Sequence, residues 1–254
     1  MDNKPLIIIG GSGHGSVIEA CIKDNRKHGV LEWELKGFCN DYDTEVDGYP
    51  VLGTLADLPH LAEEGYYFIW GIHLIANNVK TLELYNSLDI PKDRLATVIH
   101  HTAFIDDTVI IEPGCLVMYN AYIAPRTHIG ESTMIKSNTN IGHDVIIGKC
   151  SHIAMGSTIV SCVKIGICAD VAVSSTVLAN VNIGDCSMLG AASLTTHSIP
   201  NGEIWVGSPA KFLKNMSMYK EKQQMGGGRN VIVIFYSQRL FAYPSYLKNE
   251  RRCA

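Results

Sequence analysis

Residues 141–160 read IGHDVIIGKCSHIAMGSTIV, and this stretch decides the fold because an aliphatic residue recurs in it at every sixth position. The period continues in both directions without an insertion, over fifteen consecutive sixth positions. A second column, four residues after each aliphatic, holds only small or β-branched residues. Hexapeptide periodicity of this kind predicts a parallel β-helix. The aliphatic column consists of Ile105, Ile111, Val117, Ile123, Ile129, Ile135, Ile141, Ile147, Ile153, Ile159, Ile165, Val171, Val177, Ile183 and Leu189.

The same pattern predicts the local geometry. Inward residues come in pairs two apart, which is strand alternation, and the next inward residue is then four positions away. We therefore expect the chain to turn in the three positions that follow each aliphatic. Three hexads make one triangular coil, and the whole run makes about five coils with a height of about 24 Å. Glycine often fills the first turn position, where we expect it to permit a tight corner; it does so at Gly130, Gly142, Gly148, Gly166, Gly184 and Gly190.

Two histidines lie in the opening stretch, and the pattern places both. His143 and Asp144 occupy the second and third turn positions, where neighbouring side chains can converge. His152 lies between inward Ser151 and inward Ile153, so it points outward from a face. Solvated surface residues and a catalytic group both fit this placement, and the pattern alone leaves the two alternatives open.

Composition and charge exclude several classes of protein. Hydrophobic residues make up 46% of the chain and charged residues 18%, which indicates a globular protein. The net charge of −4 gives no reason to expect a nucleic-acid partner. The amino-terminal apolar run is short and ends in glycines, so we expect neither a signal peptide nor a membrane span. We therefore expect a cytoplasmic location. Eight cysteines form no CxxC pair, which favours free thiols over a zinc site.

The amino-terminal region predicts a separate α/β domain. LIIIGGSGHGSVIEACI reads as a buried strand, a glycine turn and a helix, and ELKGFCNDYD and YYFIWGIH read as further strands. We expect a Rossmann-like domain over residues 1–98, a β-helix over residues 99–216 and a tail of unknown role over residues 217–254. The dinucleotide fingerprint is incomplete, because Gly11 and Gly13 are followed by Ser16 instead of a third glycine, so NAD binding is not favoured.

Residues 5–216 as a whole resemble bacterial left-handed β-helix acyltransferases that modify nucleotide-linked amino sugars or sialic acid. Three motifs carry the resemblance: LIIIGGSGHGSVIEA followed by GFCNDYD, then GHDVIIGKCSHIAMGSTI, then IWVGSPAKFLKNM. The resemblance implies a left-handed β-helix and a homotrimer with active sites between subunits. It also implies acetyl-CoA as cosubstrate, bound in a groove between neighbouring β-helices, and no metal.

The resemblance assigns roles to particular residues. It makes His143 the general base and Asp144 its acidic partner, and a histidine that titrates near neutrality suits that chemistry. It makes His152 a second active-site histidine that holds the acetyl group or the acceptor. It places the nucleotide-sugar substrate at Ser12, Gly13, His14, Asn40, Asp41, Gly71 and Ile72. It places the coenzyme at Ser161, Val173, Gly190, Ala191, Gly207, Pro209 and Lys211.

One residue departs from the family pattern: Lys136 stands where an asparagine often precedes the catalytic histidine by seven positions. The function that the resemblance implies is acetyl-CoA-dependent N-acetylation of a nucleotide-linked 4-amino-4,6-dideoxy sugar. Two alternatives stay open at this point. One is O-acetylation of sialic acid or another sugar hydroxyl, and the other is a non-catalytic β-helix that binds a nucleotide sugar.

Overall fold

A computed structural model describes residues 3–216, so the predicted tail lies outside the described residues. The chain begins with an α/β domain. Its strands are β1 (Lys4–Ile9), β2 (Trp33–Cys39), β3 (Glu45–Val46), β4 (Tyr49–Gly53) and β5 (Tyr67–Trp70). Its helices are α1 (His14–Lys27), α2 (Leu58–Glu63) and α3 (Asn78–Asn86), with short 3-10 turns at Leu55–Asp57 and Lys92–Arg94.

The sheet of this domain has the order β3-β4-β2-β1-β5, with β1 parallel to both of its neighbours. Residues Leu6–Ile9 are at most 1% exposed, which explains why this strand reads as an uninterrupted apolar run. The strand order reverses at β1, so the crevice beyond its carboxyl end is the place where such sheets bind ligands. The predicted α/β domain is confirmed.

The β-helix is built from two-residue strands separated by four-residue connections. They are β6 (Val98–Ile99), β7 (Phe104–Ile105), β8 (Ile110–Ile111), β9 (Leu116–Val117), β10 (Tyr122–Ile123), β11 (His128–Ile129), β12 (Met134–Ile135), β13 (Asn140–Ile141), β14 (Ile146–Ile147), β15 (His152–Ile153), β16 (Thr158–Ile159), β17 (Lys164–Ile165), β18 (Asp170–Val171), β19 (Thr176–Val177), β20 (Asn182–Ile183), β21 (Met188–Leu189) and β22 (Leu194–Thr195). A hairpin of β23 (Glu203–Gly207) and β24 (Ala210–Asn215) closes the run.

Three parallel sheets form the sides of this prism. The first sheet joins β7, β10, β13, β16, β19 and β22, and the second joins β8, β11, β14, β17 and β20. The third runs from β6 through β9, β12, β15, β18 and β21 to the closing hairpin. Tyr122 pairs with Asn140 and Ile123 with Ile141, one coil apart. The hexapeptide period therefore produces the predicted coil, and the left-handed β-helix is confirmed.

The two inward columns have different tasks. The aliphatic column forms a continuous core in which Ile123, Ile135 and Ile153 are fully buried. The small column satisfies the backbone at the turns: Thr127 Oγ1 donates to the Gly142 carbonyl at 2.9 Å, and Ser151 Oγ donates to the Gly166 carbonyl at 2.8 Å. Small hydroxyl residues therefore suit this column because they fill little space and pair carbonyls that water does not reach.

The structure corrects the expected role of the turn glycines. The left-handed backbone conformation belongs to the third turn position, where Asp144, Cys150 and Cys168 have φ of 57°, 58° and 51°. Glycine at the first position is required by stacking instead. A Cβ on Gly148 would lie 2.7 Å from the carbonyl carbon of Gly166, and one on Gly142 would lie 2.7 Å from the Ser161 nitrogen. The reason is the close approach of successive coils.

The α/β domain packs on the third sheet, whose outward side chains Leu116, Met134, His152 and Asp170 we call the covered face. All four are at most 8% exposed. Asn78 of α3 fixes the contact, because its Nδ2 donates to the Cys168 carbonyl at 2.9 Å and to the Ser187 carbonyl at 3.1 Å. His152 thus points out of the β-helix as predicted, but a solvated position for it is wrong because a second domain lies over it.

Candidate active site

The turn after β13 carries a histidine–carboxylate pair at the surface. His143 Nδ1 lies 2.6 Å from Asp144 Oδ2, and both side chains are about half exposed. Arg126, one coil earlier, binds the same carboxylate with two hydrogen bonds, from Nε to Oδ1 at 2.7 Å and from Nη2 to Oδ2 at 2.8 Å. The expected convergence of His143 and Asp144 at the corner is therefore present.

The electrostatics of this pair favour one tautomer of the imidazole. The Arg126 guanidinium and then His143 hold the pKa of Asp144 well below its usual range, so the carboxylate is ionised. An ionised carboxylate can only accept, and His143 Nδ1 must therefore carry the proton. The lone pair of a neutral His143 is then on Nε2, the ring atom that faces away from Asp144. This is the arrangement that a general base requires.

A second cluster lies buried between the two domains. Asp170 accepts a hydrogen bond from His152 Nδ1 at 3.0 Å and another from His73 Nε2 at 3.1 Å. The two imidazole rings stack at 4.2 Å. The Asp170 and His73 side chains are 3% and 2% exposed. His152 Nε2 and His73 Nδ1 have no hydrogen-bond partner among residues 3–216.

The charge of this cluster resides on the aspartate. Burial alone would raise the pKa of Asp170, but the hydrogen bonds from His152 and His73 outweigh it and lower the pKa. Burial lowers the pKa of His152 to about 4, although the Asp170 hydrogen bond opposes the change. At neutral pH an ionised carboxylate therefore orients the neutral imidazole of His152.

The glycine turn after β1 reaches this cluster. Gly13 caps α1 with φ of 89°, and His14 is the first helical residue. The His14 ring meets the His152 ring edge-on at 5.3 Å. Burial, and after it the charge of Lys136, lowers the pKa of His14 to about 3. The structure thus brings His14 and His152 together and adds His73 and Asp170 to them.

Lys136 is buried beside the same histidines. It is 4% exposed, and its Nζ has no hydrogen-bond partner in the described part of the chain. Burial lowers the pKa of Lys136 to about 8. A buried ammonium without a partner is costly, because an ionised group loses its hydration and gains nothing in return. A partner from outside the single chain would remove that cost.

The other predicted substrate residues lie at the carboxyl ends of β1, β2 and β5. Ser12 is exposed, while Gly71 and Ile72 touch the first glycine turn, since a Cβ on Gly10 would lie 3.0 Å from the Gly71 oxygen. Asn40 is occupied structurally: its Nδ2 donates to the Gly10 carbonyl, and its Oδ1 accepts from two backbone amides. Exposed Asp41 binds the Leu55 amide at 3.0 Å.

The predicted coenzyme residues fall on two different edges of the prism. The His143 edge is the column of turns after the first sheet, where Ser161 follows His143 by one coil. The Val173 edge is the column of turns after the third sheet, where exposed Ala191 follows Val173 and buried Gly190 adjoins it. Exposed Gly207, Pro209 and Lys211 lie on the closing hairpin. The first sheet separates the two edges, so one subunit does not bring all these residues together.

Comparisons with known proteins agree with this architecture. The family profile described as PglD N-terminal domain matches residues 5–88, and the profile of the bacterial transferase hexapeptide, with six repeats, matches residues 126–161. The α/β domain therefore resembles the PglD N-terminal domain, and the β-helix resembles bacterial hexapeptide transferases. No curated protein sequence matches it significantly.

Solved structures of two acetyltransferases resemble this one over most of its length. PerB from Caulobacter crescentus, crystallised with CoA and GDP-perosamine, is 27% identical with a TM-score of 0.71, over 83% of this chain and 97% of that one. The acetyltransferase domain of PglB from Neisseria gonorrhoeae, crystallised with acetyl coenzyme A, is 24% identical with a TM-score of 0.70, over 84% and 100%. The PglB likeness concerns the fold.

The sequence alone did not identify three residues of the site: Arg126, Asp170 and His73. The coil period could have indicated Arg126 and Asp170, because each lies one coil from a predicted site residue. Arg126 precedes Asp144 by 18 positions, and Asp170 follows His152 by the same interval. No sequence pattern indicated His73, because its contact with Asp170 spans 97 residues and depends on how the two domains dock.

None of the helices between residues 3 and 216 is both long and apolar enough to cross a lipid bilayer.

Proposed function

We propose that this acyltransferase moves the acetyl group of acetyl-CoA onto the amino group of a nucleotide-linked 4-amino-4,6-dideoxy sugar. The observation that carries the proposal is the exposed His143–Asp144 pair, in which the carboxylate accepts a hydrogen bond from Nδ1–H and leaves the Nε2 lone pair free. Support comes from PerB, which is similar over nearly its whole length and was crystallised with CoA and an amino-sugar nucleotide. Two further structures of that enzyme carry asparagine or alanine in place of one histidine.

The reaction needs one base and no covalent intermediate on the protein. The amine nitrogen attacks the thioester carbonyl, a C–N bond forms, and the C–S bond breaks to release the thiolate of coenzyme A. His143 Nε2 takes the proton that the nitrogen loses and then returns it to the thiolate. Asp144 keeps the imidazole in the required tautomer and stabilises the imidazolium that forms. General-base assistance of this kind contributes a rate factor of about 100–10,000.

The division of the coenzyme residues between two edges supports a trimeric assembly with sites between subunits. The first sheet lies between the His143 edge and the Val173 edge. If this sheet faces a three-fold axis, each His143 edge meets the Val173 edge of a neighbouring subunit. Its outward side chains include Phe104 and Tyr122, which are 58% and 43% exposed and stack at 5.3 Å. Burial of these rings against other subunits would remove apolar surface from water.

The α/β domain is the proposed site of the nucleotide. Its glycine turn, Gly13 at the start of α1 and the Gly71 loop all lie at the carboxyl ends of the parallel strands. Backbone amides at a helix start suit a phosphate group. His14, at the start of α1, meets His152 on the covered face of the β-helix, and we propose that the sugar lies over these two rings.

A second candidate function is O-acetylation of sialic acid, and one observation favours it. Lys136 is a buried cation beside His14 and His152, and its Nζ has no hydrogen-bond partner within residues 3–216. Sialic acid carries a carboxylate, which would pair with that ammonium, whereas the sugar ring of a 4-amino-4,6-dideoxy sugar carries no anion. In this case His143 activates a hydroxyl instead of an amine.

The experiment that separates the two candidates is mass spectrometry of acceptors incubated with acetyl-CoA and the purified protein. The panel contains GDP-perosamine, a UDP-linked 4-amino sugar, free sialic acid and CMP-sialic acid. A gain of one acetyl group on an amino sugar supports the first function, and a gain on sialic acid supports the second. Coenzyme binding without any gain would overturn both and favour the non-catalytic alternative. Lys136→Asn should raise KM for sialic acid while leaving KM for a neutral amino sugar within about threefold.

A further inference from the structure

A separate cluster of potential metal ligands lies where the C-terminal end of α1 meets the first turn of the β-helix. His101 Nε2 lies 3.2 Å from Asp24 Oδ2, and His28 Nδ1 lies 3.6 Å from the same oxygen. One ligand atom from each of the three residues lies within 4.8 Å of the other two. The rings of His28 and His101 stack at 4.2 Å. The acetyl-transfer chemistry uses none of these groups.

We propose that Asp24, His28 and His101 bind a divalent transition-metal ion such as Zn²⁺, Ni²⁺ or Co²⁺. Imidazole nitrogens and a carboxylate oxygen are ligands that these ions accept. At bond lengths of about 2.0–2.1 Å, the ligand atoms of a tetrahedral zinc site are about 3.3 Å apart. The observed separations of 3.2 and 3.6 Å lie on either side of that value. His28 Nδ1 also lies 2.9 Å from the Asp24 backbone carbonyl oxygen, so the entering ion displaces this hydrogen bond.

Two buried residues hold the ligands in place. Asn25 follows Asp24 in the sequence and is 5% exposed. Its Nδ2 donates to the Ile99 carbonyl at 2.8 Å, and its Oδ1 accepts from the His101 backbone amide at 2.9 Å. His100 accepts at Nδ1 from the Thr102 amide, so its Nε2 carries a proton and donates to Asp24 Oδ2 at 3.1 Å. Outer hydrogen bonds of this kind fix the direction of a metal-binding carboxylate.

The cluster joins two elements and reaches solvent. His28 is the residue that caps the C-terminal end of α1, four positions after Asp24, and this spacing places the two side chains on one side of the helix end. His101 follows β6, the first strand of the β-helix. The ligand side chains are 42%, 54% and 24% exposed, so the remaining coordination positions are open to water. The ion fastens α1 to the β-helix and stabilises the folded protein, without a part in acetyl transfer.

The test is a titration of ZnCl₂, NiCl₂ and CoCl₂ into metal-free protein, followed by calorimetry and by thermal unfolding. We expect one ion per subunit and a rise in Tm that grows with metal concentration. His101→Gln should weaken binding at least about tenfold and abolish the rise in Tm, and Asp24→Asn should do the same. Cobalt adds a visible absorption band that reports imidazole and carboxylate coordination.

The matched control is His60→Gln. His60 Nε2 lies 3.3 Å from Glu64 at the same helical spacing, but none of the residues between 3 and 216 supplies a third ligand to this pair. This variant should bind metal as the wild type does. The proposal is overturned if the protein binds none of the three ions, if His101→Gln leaves binding unchanged, or if His60→Gln weakens it equally.

Discussion

Replacement of Lys136 by methionine should stabilise the free protein. The lysine is 4% exposed, its Nζ has no partner in the described chain, and burial lowers its pKa from the ordinary 10.5 to about 8. A pKa difference of about 2.5 corresponds to about 3 kcal/mol. This is the cost of carrying the ammonium in the folded state at neutral pH. Lys136→Met keeps an unbranched side chain that is one atom shorter and removes the charge, so the free energy of unfolding at pH 7 should rise by about 3 kcal/mol.

The stabilisation by Lys136→Met should depend on pH. Because the pKa of Lys136 is lower in the folded state, the unfolded state binds more protons between pH 8 and 10.5. The stability of the wild type therefore contains a term that rises with pH across that window. The variant lacks this term, so its advantage at pH 7 should shrink as the pH approaches 10.5.

The assay is urea denaturation followed by tryptophan fluorescence at several pH values and a fixed protein concentration. Lys164→Met is the matched control, because Lys164 lies exposed on β17 and its replacement should change the free energy of unfolding by less than about 0.5 kcal/mol. If Lys136→Met instead destabilises the protein at pH 7, the ammonium has a partner in the free protein and the reasoning fails.

Three further changes test the architecture. Asn78→Ala removes two hydrogen bonds to buried carbonyls and should lower the free energy of unfolding by about 2–3 kcal/mol in urea. Gly148→Ala places a Cβ 2.7 Å from the backbone of the next coil and should cost about 1–3 kcal/mol in the same assay, since backbone cannot move aside as a side chain can. Because burial lowers the pKa of His152 to about 4, the wild type should lose stability as the pH falls from 6.5 to 4. His152→Gln should flatten that loss in an acid titration followed by circular dichroism.

The β-helix could be predicted because its period appears directly in the chain. Each coil repeats the same inward pair, so a column such as Ile123, Ile141 and Ile159 is visible without knowledge of any other domain. The His143–Asp144 pair was predictable for the same reason, since the period places both residues in one turn. Arg126 needed only one further step, a comparison of turns one coil apart.

The contact between the domains was not predictable at the level of single residues. The covered face does carry a signal, because Leu116 and Met134 are apolar where an exposed face would carry polar residues. These apolar residues indicate that another part of the protein packs on this face, but they do not give the orientation of that part. The approach of His73 to Asp170 depends on the angle at which the α/β domain docks, and tertiary packing sets that angle. The stacking role of Gly142 and Gly148 likewise depends on contacts between coils.

The measurement that most directly tests the central claim compares two histidines on one edge of the β-helix. His197 lies three coils beyond His143 in the same turn position and is also exposed. The rate of acetyl transfer from acetyl-CoA to the acceptor found in the panel is measured for the wild type, His143→Ala and His197→Ala, with coenzyme binding measured in parallel. The account predicts that His143→Ala lowers kcat by a factor of about 100–10,000 with coenzyme binding retained, and that His197→Ala changes kcat by less than about threefold. An unchanged kcat in His143→Ala would contradict the assignment of His143 as the general base.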